Sequence, residues 1–511
     1  MAEFNFSYEP GTSLEQMIGF EVAGQIWSSY LQDNTEVNIH IEGTNQLPSN
    51  VIGGALPAIE AKQKYEDISE ALKKDVTSAL DTTAAEHLST QKEFSVVANG
   101  DTDLKKTKQL NATTANSKAL GLIEGDPSKL DGYILFSDLS QTPVAQWDYN
   151  VARDAAAGTN SLDFLSVALH EIGHVLGFVS GVDDPGWLNT VLEGQQKIEK
   201  ERRKGKEKSI DNLFKDEAMK FAHPLDLFRY SNESAAQGKQ DHSIGGDAYF
   251  SVDGGQTAIA NFSSGKATNL GGDGYQASHW QHSNETPLGI LDPALAANQR
   301  RNISSIDLAA FDAIGWDVAE HPLEINFGAL KAAAEVKLAD QLGVSSQWLG
   351  ENAESAAQQL AESRIEDIVQ FIKESEVYEW GRSTASSGWG WYRQEILNLF
   401  EQQSLFATLD ENSFPPSESQ EQPAGDGLFY PASSGAEVPE LPEVKSLPNY
   451  PIASARNISN PVPIETSTVS VGLSDVQTQD SAESLQSSLP DVLVSDPLLL
   501  STTDQITAAL L

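Results

Sequence analysis

Cysteine is absent from this chain of 511 residues, and basic residues are few beside acidic ones. Without cysteine, disulfide bonds, thiolate metal ligands, a cysteine nucleophile and a cysteine-based latency switch are all excluded. The 33 basic and 74 acidic residues give a formal net charge of -41. Such a charge repels nucleic acid phosphates and anionic membrane surfaces, so we expect no nucleic-acid partner.

Long apolar runs are also missing. No segment approaches the roughly 20 apolar residues of a transmembrane helix, so we expect no membrane span. The first residues lack the basic start and the apolar core of a conventional signal peptide. The last residues are more apolar (492–494, 498–500 and 506–511) and are either an untethered tail or an uncleaved C-terminal export signal. We therefore predict export to the extracellular space without an N-terminal signal peptide, with a cytoplasmic location as the alternative.

One stretch of the chain, from His170 to His174, has the pattern H-E-x-x-H. Residues four apart lie on the same face of a helix, so His170 and His174 can bind one metal ion. Glu171 then stands beside the open coordination position, where a carboxylate can take a proton from a water molecule that zinc has acidified. The pattern predicts a zinc site with Glu171 as the general base of a peptidase.

The surroundings of this motif favour a zinc helix over a chance match on a surface helix. Residues 161–169 begin with a helix-capping candidate and continue with apolar residues at helical spacing. Gly177 follows His174 by three residues, where a glycine can end the helix in a left-handed conformation and turn the chain.

The third metal ligand is not fixed by the motif itself. Ser180 stands where H-E-x-x-H-x-x-G-x-x-H has its third histidine, and serine is a poor zinc ligand. The ligand must therefore come from elsewhere, and the candidates are Asp183, Asp184, His223, His242, His279, His282 and His321.

The combination of H-E-x-x-H-x-x-G with a later histidine–tryptophan pair, His279-Trp280, resembles the leishmanolysin-like branch of the metzincin metalloproteases. In that branch an insertion after the zinc helix displaces the third histidine, which precedes a methionine turn. The resemblance implies that His279 is the third zinc ligand, with His223 as the alternative, and that residues 289–293 form the turn. Leu291 stands where the family has its methionine, a near volume-conserving replacement.

The resemblance extends over roughly residues 5–320. Within the family, the chain is similar to an uncharacterised bacterial group of such proteases. Residues 303–316 show helical apolar spacing before Gly315 and resemble the closing helix of bacterial metzincins, which packs under the site. The resemblance implies an α+β catalytic domain over residues 1–322, built from a twisted sheet and an active-site helix. Within it, the patterns predict helices over 14–31 and 58–90 and strands over 37–41 and 132–136.

The rest of the chain divides into two further regions. Residues 325–405 have helical patterning and predict a small helical accessory region, in which Trp380, Trp389 and Trp391 form either a packed cluster or a binding surface. Residues 411–511 are rich in proline and acidic residues and predict a disordered tail. The basic segment 197–208 is interpreted as a solvated helix, with an exosite for acidic substrates as the alternative.

Glycine-rich loops around Asp247, Asp253 and Asp273 raise the hypothesis of a structural calcium ion beside the zinc. None of them has the ligand spacing of an EF-hand or a tandem calcium repeat, and Asp-Gly and Gly-Gly pairs form turns on backbone grounds alone. Plain turns are therefore the alternative reading.

The function predicted from the sequence is a zinc-dependent endopeptidase that acts on protein or peptide substrates. His170, His174 and His279 bind the metal and Glu171 is the catalytic base. One alternative, motivated by Ser180 and Leu291, is a catalytically weak protein of the same fold that binds without cutting. Another is a metal-free structural domain. The sequence leaves the oligomeric state open.

Overall fold

The computed structural model describes residues 1–48, 50–99, 107–142, 145–204, 221–283, 286–319, 324–374 and 405–410. The tryptophans predicted to cluster at 380–391, residues 205–208 of the basic segment and the predicted tail at 411–511 lie outside these residues. The part of the basic segment over 197–203 is helical, as predicted. No helix within the described ranges is both long and apolar enough to cross a bilayer.

The described chain contains both strands and helices, interspersed in short runs, and the α+β class is confirmed. The strands are β1 (Glu3–Tyr8), β2 (Glu36–Thr44), β3 (Val51–Pro57), β4 (Ile59–Lys64), β5 (Val96–Val97), β6 (Gln109–Thr113), β7 (Gly132–Ser137), β8 (Gln146–Asp148), β9 (Ser161–Asp163), β10 (Arg229–Tyr230), β11 (Gln240–Asp241), β12 (Tyr249–Phe250), β13 (Ala260–Asn261), β14 (Ala294–Leu295) and β15 (Leu405–Leu409). The α-helices are α1 (Leu14–Tyr30), α2 (Tyr65–Lys74), α3 (Ala79–His87), α4 (Thr114–Ala119), α5 (Phe164–Val175), α6 (Pro185–Arg203), α7 (Asn232–Ala236), α8 (Ser305–Ala313), α9 (Phe327–Leu342), α10 (Ser346–Glu351), α11 (Ala353–Leu360) and α12 (Ile365–Glu374).

A mixed sheet of six strands, in the order β1-β2-β7-β3-β15-β14, organises the chain. Strands β1, β2 and β7 run parallel to one another, whereas β3 runs antiparallel to β7. Strand β15 runs antiparallel to β3 on its other side and parallel to β14. A strand from late in the chain thus lies beside one from its beginning.

Both faces of this sheet are buried. Along β7, Ile134 and Phe136 belong to the main core with α1 and α5, while Tyr133 and Leu135 belong to a second core with α12. This division follows from the alternation of side chains along a strand. Helix α9 packs against α1 and adds Leu338 to the main core, so the helical region shares its apolar interior with the first 320 residues.

Most helices and strands that the sequence predicts are present. Predicted helix 14–31 is α1, predicted strand 37–41 lies within β2, and predicted strand 132–136 lies within β7. The predicted helix over 58–90 is wrong at its start, where the chain forms β4 before α2 and α3. Residues 59–64 are good helix formers, but pairing with β6 holds them extended, with an irregularity that includes Lys62 at φ 57°. Tertiary pairing overrides local propensity here.

The region predicted as helical over 325–405 contains α9 to α12 across residues 327–374. Its last residue, Leu405, begins β15. The patterning of the sequence did not predict this strand, because a five-residue run has little periodicity of its own and its partners lie far away in the chain.

Candidate metal centre

Helix α5 carries the first two histidines. Its N-cap residue, Asp163, accepts hydrogen bonds from Ser166 N at 3.0 Å and from Arg153 Nη2 at 2.6 Å, which fixes the start of the helix. Every residue of α5 is buried. His170 and His174 lie one turn apart on the same side of this rigid, buried helix, as the spacing predicts.

Gly177 turns the chain after α5 with a φ of +118°, the left-handed conformation that the sequence predicts there. The turn brings the carbonyl of Phe178 back to the helix, where it accepts a hydrogen bond from His174 Nδ1 at 2.8 Å. The glycine therefore helps to orient a histidine as well as ending the helix.

His279 joins these two histidines from a loop far along the chain. Its Nδ1 donates to the carbonyl of Gln276 at 3.1 Å, and its own carbonyl accepts from Ser263 N at 2.9 Å. The next residue, Trp280, is buried and stacks on Phe262, which anchors the loop in the main core.

The three imidazoles meet through their Nε2 atoms. The distances are 3.1 Å between His170 and His174, 3.1 Å between His170 and His279, and 3.2 Å between His174 and His279. Each Nδ1 faces a backbone carbonyl, that of Ile290 in the case of His170 at 2.8 Å. Because a carbonyl only accepts, the proton belongs on Nδ1 and three Nε2 lone pairs converge on one point.

Three converging lone pairs repel one another unless a cation lies among them, so the donor set fits a metal ion. Three nitrogen ligands with one open position is the arrangement of catalytic zinc sites. Within the described part of the chain, this triad is the one group of histidine and acidic side chains that is close enough to hold a metal ion.

Burial keeps these histidines neutral. Loss of solvation lowers the pKa of His174 to about 4 and lowers the pKa values of His170 and His279 well below the usual range, with mutual repulsion adding to the effect for those two. Neutral imidazole is the form that binds metal, so the environment favours metal over protons at neutral pH.

Glu171 lies on α5 beside the triad and is fully buried. Its Oε1 accepts a hydrogen bond from Ala407 N of β15 at 3.2 Å, whereas Oε2 has no partner among the described residues. Burial raises the pKa of this carboxyl well above its ordinary value. A Cβ placed on Gly53 of β3 would lie 2.6 Å from Oε1, so the glycine makes room for the carboxylate.

The turn predicted over 289–293 packs against α5 beside His170 and His174. A Cβ placed on Gly173 would lie 3.3 Å from both terminal methyl carbons of Leu291, so this side chain packs against the helix between the two histidines. Leu291 therefore fills the position that the family resemblance implies for methionine, and it does so by packing alone.

Asp307, which the sequence analysis did not single out, holds this turn in place. Its carboxylate accepts from Ile290 N at 2.8 Å, from Trp280 Nε1 at 2.8 Å and from Ser304 N at 2.7 Å. It thus ties α8, the predicted closing helix, to both loops that support the histidines. The capping pattern Ser304-x-x-Asp307 was the available signal, although it indicates a helix start and not a role near a metal.

The other candidates for the third ligand have different partners. Ser180 Oγ donates to Asp226 at 2.6 Å, and Asp183 accepts from Lys266 N and Ala277 N at 2.9 and 2.6 Å. Asp184 caps the start of α6 through Gly186 N.

The remaining histidines are also separate from the triad. His223 and His242 are buried near Asp226, and His282 pairs with Asp292 at 2.8 Å. His321 lies outside the described residues. The structure therefore brings His279, and not these alternatives, to His170 and His174.

The three aspartates considered for calcium accept hydrogen bonds from the protein itself. Asp253 accepts from Ser251 Oγ and Thr257 N, Asp273 accepts from Ser264 N and Tyr275 N, and Asp247 accepts from Asn232 Nδ2. These contacts fit the plain-turn reading.

Comparisons with known proteins found no matching family model, no matching curated protein and no matching solved structure. The functional argument therefore rests on the residues and geometry of the site itself.

Proposed function

We propose that this protein is a zinc-dependent endopeptidase of the metzincin type. The observation that carries the proposal is the convergence of three neutral Nε2 atoms beside a buried glutamate that shares a helix with two of them. The spacing of the motif explains two ligands and the base, and the contacts of His279 supply the third ligand.

The chemistry divides between the metal and the chain. Zinc in such a site lowers the pKa of a bound water to about 7 and stabilises negative charge on a peptide carbonyl oxygen. Glu171 then takes the proton of the attacking water and passes it to the departing amine. Burial raises the pKa of the Glu171 carboxyl above its ordinary value, which makes it a stronger base for this transfer.

The backbone around the site fixes the ligands for this task. The carbonyls of Gln276, Phe178 and Ile290 hold the three histidines in the Nδ1-protonated form. Such contacts to the second ring nitrogen set the tautomer and orientation of a metal-binding imidazole. Because backbone carbonyls cannot be removed by side-chain substitution, the tests below change side chains of the site.

The test compares cleavage of casein by the wild-type protein and by Glu171→Gln, with zinc content measured in both. Loss of a general base costs typically about 10²- to 10⁴-fold in rate, so we expect a fall in kcat of this size with zinc content unchanged. The matched control is Glu233→Gln, an exposed glutamate in the first turn of α7, which should cleave as wild type. Proteolysis retained by Glu171→Gln would refute the proposed base.

The second candidate is a zinc-binding protein that does not cut. It is favoured by the closure of the triad, since His174 and His279 have no exposed surface and His170 is only 3% exposed. One bound zinc ion per chain together with no casein cleavage, including after the opening of the site described below, would select this candidate.

A further inference from the structure

The triad has almost no exposed surface, since His174 and His279 are 0% exposed and His170 is 3% exposed. The cavity that reaches His170 has a volume of about 10 Å³ and is bordered on one side by Ala407. Such a space holds at most one water molecule. Through this cavity, a peptide reaches His170 only if a neighbouring segment moves.

Among the described residues, strand β15 borders this cavity through Ala407 and contacts Glu171. Its register with β3 is antiparallel, with Leu405 opposite Ala55, Phe406 opposite Gly54 and Ala407 opposite Gly53. On its far side, Thr408 N and Thr408 Oγ1 both donate to the carbonyl of Pro293, at 2.7 and 2.8 Å. An extended segment of this chain therefore lies between β3 and the turn under the triad.

The contact with Glu171 distinguishes β15 from an ordinary sheet strand. Ala407 N donates to Glu171 Oε1, and Gly53, its register partner, is the residue that makes room for this carboxylate. A general base must lie within hydrogen-bond reach of the water from which it takes a proton. Oε1 accepts from the chain's own backbone, so one of the two oxygens of this carboxyl is occupied while β15 is in place.

We propose that Leu405–Leu409 is an internal occupant of the groove in which the peptide substrate binds, and that this segment must leave before hydrolysis. The inference rests on the proposed peptidase function. With β15 removed, β3 becomes an edge strand with free backbone donors and acceptors, which an extended peptide can pair with by strand addition. The substrate class is an extended peptide that lies antiparallel to β3 with a small residue opposite Gly53.

Two features make β15 a displaceable strand. Its pairing with β3 is interrupted, because the register shifts between Ala407, opposite Gly53, and Thr408, opposite Val51. Its described side chains bury little apolar volume, since Ala407 and Leu409 are the members that join the small core near Val167. A short strand with an irregular ladder competes weakly with a peptide that pairs without interruption.

The absence of native cysteine allows a reversible lock. The double variant Gly54→Cys and Phe406→Cys places thiols on directly opposed residues, whose spacing across an antiparallel pair suits a disulfide. Gly54 follows Gly53 in the strand, so the bond forms on the face away from Glu171. The matched control is Glu3→Cys with Glu36→Cys, an opposed exposed pair at the other end of the same sheet.

A second variant weakens the occupant. Ala407→Pro removes the N–H that donates to Glu171, whereas Ala407→Ser keeps it and serves as its control. Circular dichroism and zinc content verify that each protein is folded. If the proline variant does not fold, the disulfide pair decides the question alone.

The primary readout is binding of a fluorescent peptide with the sequence of residues 403–411, followed by anisotropy in full-length, zinc-loaded protein. All variants carry Glu171→Gln, which prevents cleavage and keeps an oxygen that accepts from Ala407 N. We expect the oxidised lock to bind at least about tenfold more weakly than its reduced form, and Ala407→Pro to bind at least about tenfold more tightly than Ala407→Ser. The Glu3/Glu36 pair should bind equally in both redox states.

Equal peptide binding by the oxidised and reduced lock would overturn the proposal, as would absence of binding in every variant. Casein cleavage in the Glu171 background separates this outcome from failure of the proposed function. Cleavage at equal rates in both redox states would support the peptidase function and refute the proposal that β15 occupies the substrate groove. Redox-dependent peptide binding without any cleavage would support the proposal that β15 occupies the groove and refute the peptidase function.

Discussion

Among the described residues, buried histidines form two groups, and only one of them has the geometry to hold a metal ion. In the triad, every Nδ1 is bound to a carbonyl and the three Nε2 atoms face one another at 3.1 to 3.2 Å. In the second group, His223 and His242 lie beside Asp226, with 4.0 Å between His242 Nδ1 and Asp226 Oδ1. His223 Nδ1 and His242 Nε2 have no partners among the described residues.

The difference lies in what the carboxylate and the ring nitrogens do. The carboxylate of Asp226 accepts hydrogen bonds from Ser180 Oγ, Gly181 N and His223 N. It therefore stabilises the backbone and does not join the two histidines as a set of metal ligands. Both groups are buried and both have lowered histidine pKa values. Burial and a shifted pKa therefore do not identify a metal site, whereas convergence of lone pairs does.

The largest expected effect is on zinc affinity, when one histidine of the triad is removed and one histidine of the second group serves as its control. His279→Ala takes away one of three ligands, and because zinc sites of this kind bind with about 10 to 16 kcal/mol in total, we expect at least about 100-fold weaker binding. His223→Ala should keep the zinc affinity of the wild type. Chelator competition measures both constants, and equal affinities would show that the two groups had been wrongly distinguished.

A smaller effect on the metal is expected from Asp307→Asn. The amide cannot accept from all the donors that converge on Asp307, so the loop carrying the Ile290 carbonyl loses its support. Loss of such indirect support costs typically about 10- to 100-fold in metal affinity. Asp81→Asn is the control, because Asp81 occupies the same capping position with Ser78 at the start of α3. A fall in zinc affinity of the same size in both variants would assign the effect to helix capping.

Acidification of the metal-free protein tests the second group of histidines, that of His223 and His242. Burial lowers the pKa of His223 from 6.5 to about 4. Between these values the unfolded chain binds a proton that the folded chain does not, so the free energy of unfolding falls as the pH falls from 6.5 to 4. His223→Gln should reduce this loss by about 3 kcal/mol. Urea titrations at pH 7 and pH 4 measure it, and an unchanged pH dependence would contradict it.

The smallest effect is expected under the triad, at Leu291→Met. Exchange of these two side chains in a packed core costs typically less than about 1.5 kcal/mol. Zinc affinity should change by less than about twofold, since Leu291 contacts the helix and no ligand atom. Thermal unfolding and chelator competition test this expectation. A large gain in zinc affinity or in cleavage would mean that leucine impairs the site.

Local spacing was enough to find His170, Glu171 and His174, because one helix carries all three and a helix has a fixed geometry. His279 came from resemblance to a family and not from periodicity, since a loop more than a hundred residues away has no spacing relation to α5. Gly53 and Asp307 were missed for the same reason: their roles depend on which distant atoms lie beside them.

The same limit explains the errors in secondary structure. The helix prediction over 58–90 fails at β4, where pairing with β6 decides the conformation. Strand β15 exists because β3 and β14 accept it on both sides. In each case the conformation is determined by a partner strand that lies far away in the sequence, and propensity within a short window does not include it.

The position of β15 in the chain also has a consequence for synthesis on the ribosome. Strand β3, α5 and the loop of His279 emerge in that order, and β15 emerges only after all of them. Domains generally fold as they leave the ribosome, and unpaired strand edges in such intermediates favour aggregation. We therefore expect nascent chains that end before residue 405 to need protection by chaperones, and the finished chain to lose that need when its last sheet strand docks.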